Sequence, residues 1–290
     1  MLSGIGCNVR MRKRPFGNAG VEVTQIGLGG EGVLRTYDRI PDAVAVIEEA
    51  ADQGIAYFDT AMAYAGSQKY YGSFWKKHSH LRDKIFQTSK SANRDKDGAR
   101  DDLVHSLAAM GLRDLDLWQI HDIRTREDIN MIESPGGALE AFIEAKETGL
   151  TRFIGVTGHH DPSVLEHAVV NWPVDAVLLP VNPVEAIIGG FLDSVLPAAL
   201  DRGLAIIGMK VLGASHYIHE EAEITPELLI RFALSQEITT AIVGCSTPRE
   251  VQMLAQAGRD FEPMSEEEQK VLMDLSRHSA RKLAFYRGVL

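Results

Sequence analysis

Short apolar runs alternate with longer amphipathic segments along most of the chain. Candidate buried strands occur at 25–29 (QIGLG), 56–60 (AYFDT), 85–89 (IFQTS), 115–120 (LDLWQI), 152–156 (RFIGV), 174–179 (VDAVLL), 204–209 (LAIIGM) and 239–244 (TTAIVG). The eight runs are spaced by roughly 20 to 40 residues, and alternation on that scale predicts βα units around a parallel sheet.

Helix signals fill the intervals. Ser134-Pro135, Asp161-Pro162, Thr225-Pro226 and Thr247-Pro248 each place a capping side chain before a proline. The side-chain oxygen satisfies free N–H groups of the first turn, and proline there forgoes an N–H that has no partner anyway. Gly111, Gly149, Gly203 and Gly258 follow amphipathic segments and read as left-handed caps. The helix expected at about 99–110 puts Leu103, Leu107 and Met110 on one face. Ser265 with Glu268 forms a capping box that opens a last helix running to about 284. Near the start, MRKRPFG and VEVTQ flank Asn18-Ala19-Gly20, a β-hairpin pattern. The sum is one domain over 1–290: a single (β/α)8 barrel with core at about 12–258, an N-terminal β-hairpin and an extra C-terminal helix at about 265–284.

Composition narrows the classes. The chain has 290 residues, 45% of them hydrophobic, and a net charge of −10. That acidity disfavours general binding to nucleic acid or to an anionic membrane. No run of about 20 apolar residues is present, so no membrane span is expected. The basic cluster Arg10, Arg12, Lys13 and Arg14 is not followed by an apolar run, so it does not read as a secretory signal. With only Cys7 and Cys245, no disulfide framework is expected, and the cytoplasm is the default compartment.

Chemistry in such a barrel sits at the C-terminal ends of the strands. Asp59 and Tyr64 follow the second run in DTAMAY, Lys90 ends the third, and His121 ends the fourth. Singly, each has an ordinary reading: a turn aspartate, a rim aromatic, a solvated lysine, a loop histidine beside Asp122. Jointly, at neighbouring strand ends, they form a set for proton chemistry. A phenol is a weak acid near pKa 10, an adjacent ammonium lowers that value, and a carboxylate beside the lysine keeps it charged and fixed. A histidine there can hydrogen-bond a carbonyl oxygen and orient it.

These residues, with the leading hairpin and LRDLDLWQIH, resemble the aldo-keto reductase family, and within it a bacterial branch with GxTGHH after the fifth strand. The resemblance implies a nicotinamide cofactor bound extended and without a Rossmann domain. It implies that Tyr64 is the general acid, Lys90 tunes it, Asp59 pairs with Lys90 and His121 orients a small-molecule carbonyl substrate. Where the family usually has Ser-Asn after the fifth strand, holding the nicotinamide carboxamide, this chain has Thr157-Gly158. The usual glutamine of the sixth strand falls on Leu178, with Asn182 following, and Met209 stands where a tyrosine often stacks on the nicotinamide. The segment 208–213 resembles the pyrophosphate strap, with Lys210, Leu212 and Gly213 as contacts. Gly29, Gly244, Ser246 and Thr247 complete the cofactor contacts the resemblance implies.

Cofactor choice turns on the last helix start. The family's usual phosphate-reading lysine and arginine fall on Gly244 and Glu250. Glu250 would repel a 2′-phosphate unless the T-x-x-E spacing folds it back on the backbone. Arg249 then supplies the planar fork that suits phosphate, so NADP(H) is favoured, with NAD(H) as the alternative. His159 and His160 have two readings: contact with the carboxamide or substrate, or a polar loop whose Asp161 caps the next helix. Leu34, Trp75 and Tyr217 are candidate substrate-pocket residues, with packing as their alternative.

Three rival classes account for parts of the pattern. Gly27 to Gly32 fits G-x-G-x-x-G, but residues 33–40 separate it from the helix start at Pro41, whereas a Rossmann motif opens directly on the helix. A metal-dependent hydrolase would use His121-Asp122 and His159-His160-Asp161, yet it leaves Asp59, Tyr64 and Lys90 without a role. A nucleotide-binding regulatory subunit on the same barrel would leave the intact set of four unused. No metal is expected, and oligomeric state is not encoded in any pattern found.

Overall fold

The chain enters the barrel through the predicted hairpin. In the computed structural model, which describes residues 11–219 and 223–288, β1 (Lys13–Pro15) pairs antiparallel with β2 (Glu22–Thr24), Lys13 opposite Thr24. Phe16, at the turn, is fully buried. Its ring lies 4.8 Å from Phe86 and 5.3 Å from Phe153 and closes the barrel floor. Cys7 and Arg10 lie outside the described residues.

Eight parallel strands follow: β3 (Ile26–Gly32), β4 (Tyr57–Phe58), β5 (Phe86–Ser91), β6 (Leu115–Ile120), β7 (Thr151–Thr157), β8 (Ala176–Pro180), β9 (Ala205–Met209) and β10 (Thr240–Cys245). They close in chain order, with β10 against β3. Each overlaps an apolar run read from the sequence, and the architecture is a (β/α)8 barrel. The strands read as runs rather than alternations because both faces are covered. Tyr57, Phe86, Leu117, Leu178, Ile207 and Ile242 fill the interior above Phe16, while Trp118, Val177 and Ile206 pack outward against helices.

Most caps follow the sequence. Asp161, Thr225 and Thr247 accept first-turn N–H groups from Ser163, Leu228 and Glu250, and Ser265 and Glu268 form the expected box. Three readings are corrected. Ser134 ends helix Arg126–Glu133, and the next helix, Ala138–Glu147, starts later, after Gly137. Gly258 is not a cap; it lies inside helix Pro248–Arg259, where a Cβ would come 2.7 Å from Ile26 and 3.0 Å from Met11. The C-terminal helix breaks after Ser276 into a 3₁₀ turn, a short helix Ala280–Leu283 and a second 3₁₀ turn Phe285–Arg287.

The glycine-rich segment belongs to β3 itself. A 3₁₀ turn (Val33–Arg35) follows, and the first helix begins only at Ile40. The glycines serve close packing: a Cβ on Gly27 would come 2.8 Å from the Tyr57 ring and one on Gly29 3.0 Å from the β10 backbone. The segment is therefore no dinucleotide-binding turn. Among the described residues no helix is long and apolar enough to cross a membrane.

Candidate active site

The four candidate residues converge at the C-terminal end of the barrel. Asp59 directly follows β4, its N–H donating to Leu28 of the neighbouring strand. Lys90 is the penultimate residue of β5 and points inward, fully buried. His121 directly follows β6, its N–H bonded to Ser91 O at 2.8 Å. Tyr64 comes from the turn between β4 and helix Ser67–His78, its N–H bonded to Ala61 O. Lys90 Nζ donates to both Asp59 oxygens at 2.6 and 2.7 Å, to Thr60 O at 2.9 Å and to Tyr64 Oη at 3.5 Å. The His121 ring meets the Tyr64 ring edge-on at 5.6 Å.

Burial sets the charges. It pushes Lys90 below its ordinary value, against the pull of Asp59. Burial, then the positive charge of Lys90, holds His121 down at about 3, so the imidazole is neutral at physiological pH. The expectation that Lys90 lowers the phenol is not met. Burial, with the Asp59 carboxylate next, pushes Tyr64 well above its usual value of 10. The ammonium is spent on Asp59, and the phenol keeps its proton.

The expected cofactor contacts line the same end. Thr157 closes β7 and its Oγ1 accepts the Asp122 N–H at 2.7 Å. Gly158 follows, against Ile123 and Leu165. Asn182, fully buried, caps helix Pro183–Ile188 and donates to Lys210 O and Tyr286 Oη. Met209 and Lys210 are half-buried at the end of β9. Lys210, Ala214 and Ser215 all take positive φ, at 57°, 52° and 70°. Leu212 is half-buried, and Gly213 packs against the Tyr217 ring, which a Cβ would meet at 2.5 Å. Gly244 lies in β10 beside Glu31. Ser246, Thr247 and Arg249 are exposed. Glu250 does fold back, but its Oε2 accepts the N–H of Ser246 at 2.7 Å rather than that of Thr247.

His159 does not face open space. Its Nδ1 lies 3.0 Å from Tyr286 O and its Nε2 3.1 Å from Asp122 Oδ1. Asp161 is the helix cap. The proposed pocket side chains Leu34, Trp75 and Tyr217 are core: Trp75 donates to Gln87 Oε1 at 3.0 Å, and Tyr217 bonds Leu283 O at 3.1 Å.

Four contributors have no counterpart in the sequence reading. Gly30 lies under the Tyr64 ring, where a Cβ would stand 2.4 Å from two ring carbons. Arg35 lies over the Tyr64 ring at 5.1 Å. Tyr286 and Arg287, from the C-terminal segment, reach Glu185 on the active face. The GLGG string signalled close packing but not its partner; nothing in the sequence signalled the long-range contacts. A broad cavity of about 1240 Å³ opens at the opposite end, between the hairpin and the segments around residues 51–56 and 81–86, away from all four residues.

Known proteins share the family and the fold. The family profile described as "Aldo/keto reductase family" matches residues 25–225. L-galactose dehydrogenase of Arabidopsis thaliana is 26% identical, over 89% of this chain and 94% of its own length. The fold is shared with an aldo-keto reductase from Klebsiella pneumoniae in complex with NADPH, with a TM-score of 0.76 and 20% identity over 92% of this chain and 96% of that one. It is shared as well with the holo form of an aldo-keto reductase from Bacillus halodurans, with a TM-score of 0.75 and 18% identity over 97% and 98% of the two chains. With its closed barrel and the profile match across most of it, the chain belongs to the aldo/keto reductase family and is an NAD(P)H-dependent oxidoreductase.

Proposed function

We propose that this enzyme reduces an aldehyde or ketone to the alcohol, with Tyr64 as the general acid. The observation that carries the reading is the buried Lys90 ammonium, clamped by Asp59 and 3.5 Å from Tyr64 Oη. The reduced nicotinamide supplies the hydride that reaches the carbonyl carbon. Tyr64, held protonated by burial, gives its proton to the carbonyl oxygen. Lys90 stabilises the phenolate left behind, because its charge is fixed next to the oxygen that becomes negative. Neutral His121, edge-on to Tyr64, donates a hydrogen bond that orients the carbonyl.

The residues present fit the cofactor at its phosphate end. Positive φ at Lys210 and through Gly213, Ala214 and Ser215 bends the backbone after β9 in the way that suits an anion-binding concavity. The start of helix Pro248–Arg259 adds a second anion-favouring terminus. At the other end, the bonds of the Asn182 side chain are made within the protein, which leaves Thr157 and Gly158 to meet the carboxamide. Glu250 is turned to the Ser246 N–H, so Arg249 is free to read a 2′-phosphate, and we assign a preference for NADP(H). The chain acts as one domain, because Tyr286 and Arg287 bond Asn182 and Glu185 across the active face. Oxidation of NADPH, followed by its absorbance against a panel of aldehydes and ketones, tests the reading. Turnover of carbonyls supports it; tight cofactor binding with no turnover of any carbonyl contradicts it.

A further inference from the structure

Three atoms able to ligate a metal meet at the rim of the active face. Asp122 Oδ1 lies 3.1 Å from His159 Nε2 and 3.5 Å from His160 Nε2, and all three donor atoms fall within 4.8 Å of one another. Asp122 Oδ1 and His160 Nε2 are buried and have no hydrogen-bond partner among the described residues. Every other polar group of Asp122 is engaged. Its Oδ2 takes Arg124 Nε and Nη2 at 2.8 and 2.5 Å, its N–H goes to Thr157 Oγ1, and its carbonyl accepts Arg94 Nη2. The carboxylate is thus aimed with one oxygen left over.

The histidines are aimed in the same way. His159 Nδ1 faces the carbonyl of Tyr286 at 3.0 Å, and a carbonyl only accepts, so the proton sits on Nδ1. A neutral His159 then presents the lone pair of Nε2 to a carboxylate oxygen. The opposite tautomer moves the clash to Tyr286 without removing it. His160 Nδ1 points at the same segment, close to Gly288. An N–H bonded to a backbone carbonyl with the other nitrogen bare is how metal-binding histidines are held. Asp122 also takes φ of 54°, a left-handed conformation costly for a residue with a Cβ and one that clusters at ligand-binding sites.

We propose that Asp122, His159 and His160 bind a divalent transition-metal ion of the Zn²⁺ type. Donor atoms at 2.0–2.2 Å from one ion in tetrahedral array stand about 3.3–3.6 Å apart, and the two separations from Asp122 Oδ1, 3.1 and 3.5 Å, lie close to that edge. Two imidazoles and one carboxylate suit zinc, and three protein ligands leave a fourth position for water or a polar group. Asp161 takes no part, since its carboxylate caps the following helix, and His121 faces Tyr64 instead. The ion would bridge the loops after β6 and β7, and His159 Nδ1 ties that site to the C-terminal segment through Tyr286 O.

The experiment is a Zn²⁺ titration of the full chain, first stripped with a chelator, by calorimetry and by competition with a chromogenic chelator. One Zn²⁺ per chain is expected, with affinity reduced by about 100-fold or more in Asp122→Ala, His159→Ala and His160→Ala. Cobalt(II) in place of zinc should give the intense visible bands of a four-coordinate site, lost in the same variants. His160→Ala, at the outer edge of the cluster, guards against loss through misfolding, with circular dichroism as the check. His78→Ala, which removes the separate histidine beside Glu48, should leave the affinity unchanged. No binding in the wild type, wild-type affinity in the three cluster variants, or loss only in His78→Ala overturns the proposal. The titration requires no turnover, so its failure is distinct from failure of the reductase reading.

Discussion

Lys90 and Asp59 form a two-pronged ion pair in the barrel, 2.6 and 2.7 Å from nitrogen to the two oxygens, with the lysine side chain wholly inaccessible and the aspartate nearly so. Removing one partner of such a pair leaves an uncompensated buried charge, which costs about 3–5 kcal/mol. Asp59→Ala should lower unfolding stability by that amount in urea. The double variant Asp59→Ala, Lys90→Met should recover part of it. A double variant as unstable as the sum of the singles would show the two residues to be uncoupled.

Alkali should destabilise the protein once the tyrosines of the unfolded chain begin to titrate. Burial pushes Tyr57, Tyr64 and Tyr71 well above 10, with Asp59 adding to each. Above pH 10 the unfolded chain releases these protons and the folded chain retains them, so stability falls as pH rises. Urea midpoints taken from pH 8 to about 11 should drop once the ordinary value of about 10 is passed. A midpoint flat across that range would mean that the buried phenols ionise in place.

Gly30→Ala should impair catalysis without touching any of the four residues. The added Cβ would stand 2.4 Å from the Tyr64 ring, and displacing a reacting group by about 1 Å costs about 10²-fold. The expected result is a fall in kcat with cofactor affinity retained. Full activity would show that the ring moves aside at no cost.

Arg249→Ala should lower the preference for NADP(H) over NAD(H) by about tenfold or more, the worth of a charged hydrogen bond. The measurement is kcat/KM with both cofactors. An unchanged ratio would mean that Arg249 does not read the phosphate.

The barrel was legible because each buried strand leaves an apolar run and each helix start leaves its cap. Misreadings arose where one residue type serves two geometries. Ser134 ends a helix instead of starting one, and Gly258 permits the approach of Ile26 and Met11 instead of ending a helix. The four residues were visible as strand-end polar groups, but their electrostatics were not. Sequence proximity to Lys90 points to a lowered Tyr64, whereas three-dimensional burial and the Asp59 carboxylate decide the direction. Leu34, Trp75 and Tyr217 looked like pocket residues because nothing local separates a rim side chain from a core one. The meeting of His159 with Tyr286 spans 127 positions and depends on the broken C-terminal helix, so no local pattern announces it.

The central claim is that Tyr64 donates the proton during carbonyl reduction. Single-turnover reduction of an aldehyde by wild type and by Tyr64→Phe, alongside the Kd for NADPH from fluorescence titration, tests it directly. The account predicts a rate lower by about 10²–10⁴-fold with the Kd unchanged. A phenylalanine variant that reduces the aldehyde at the wild-type rate would contradict it.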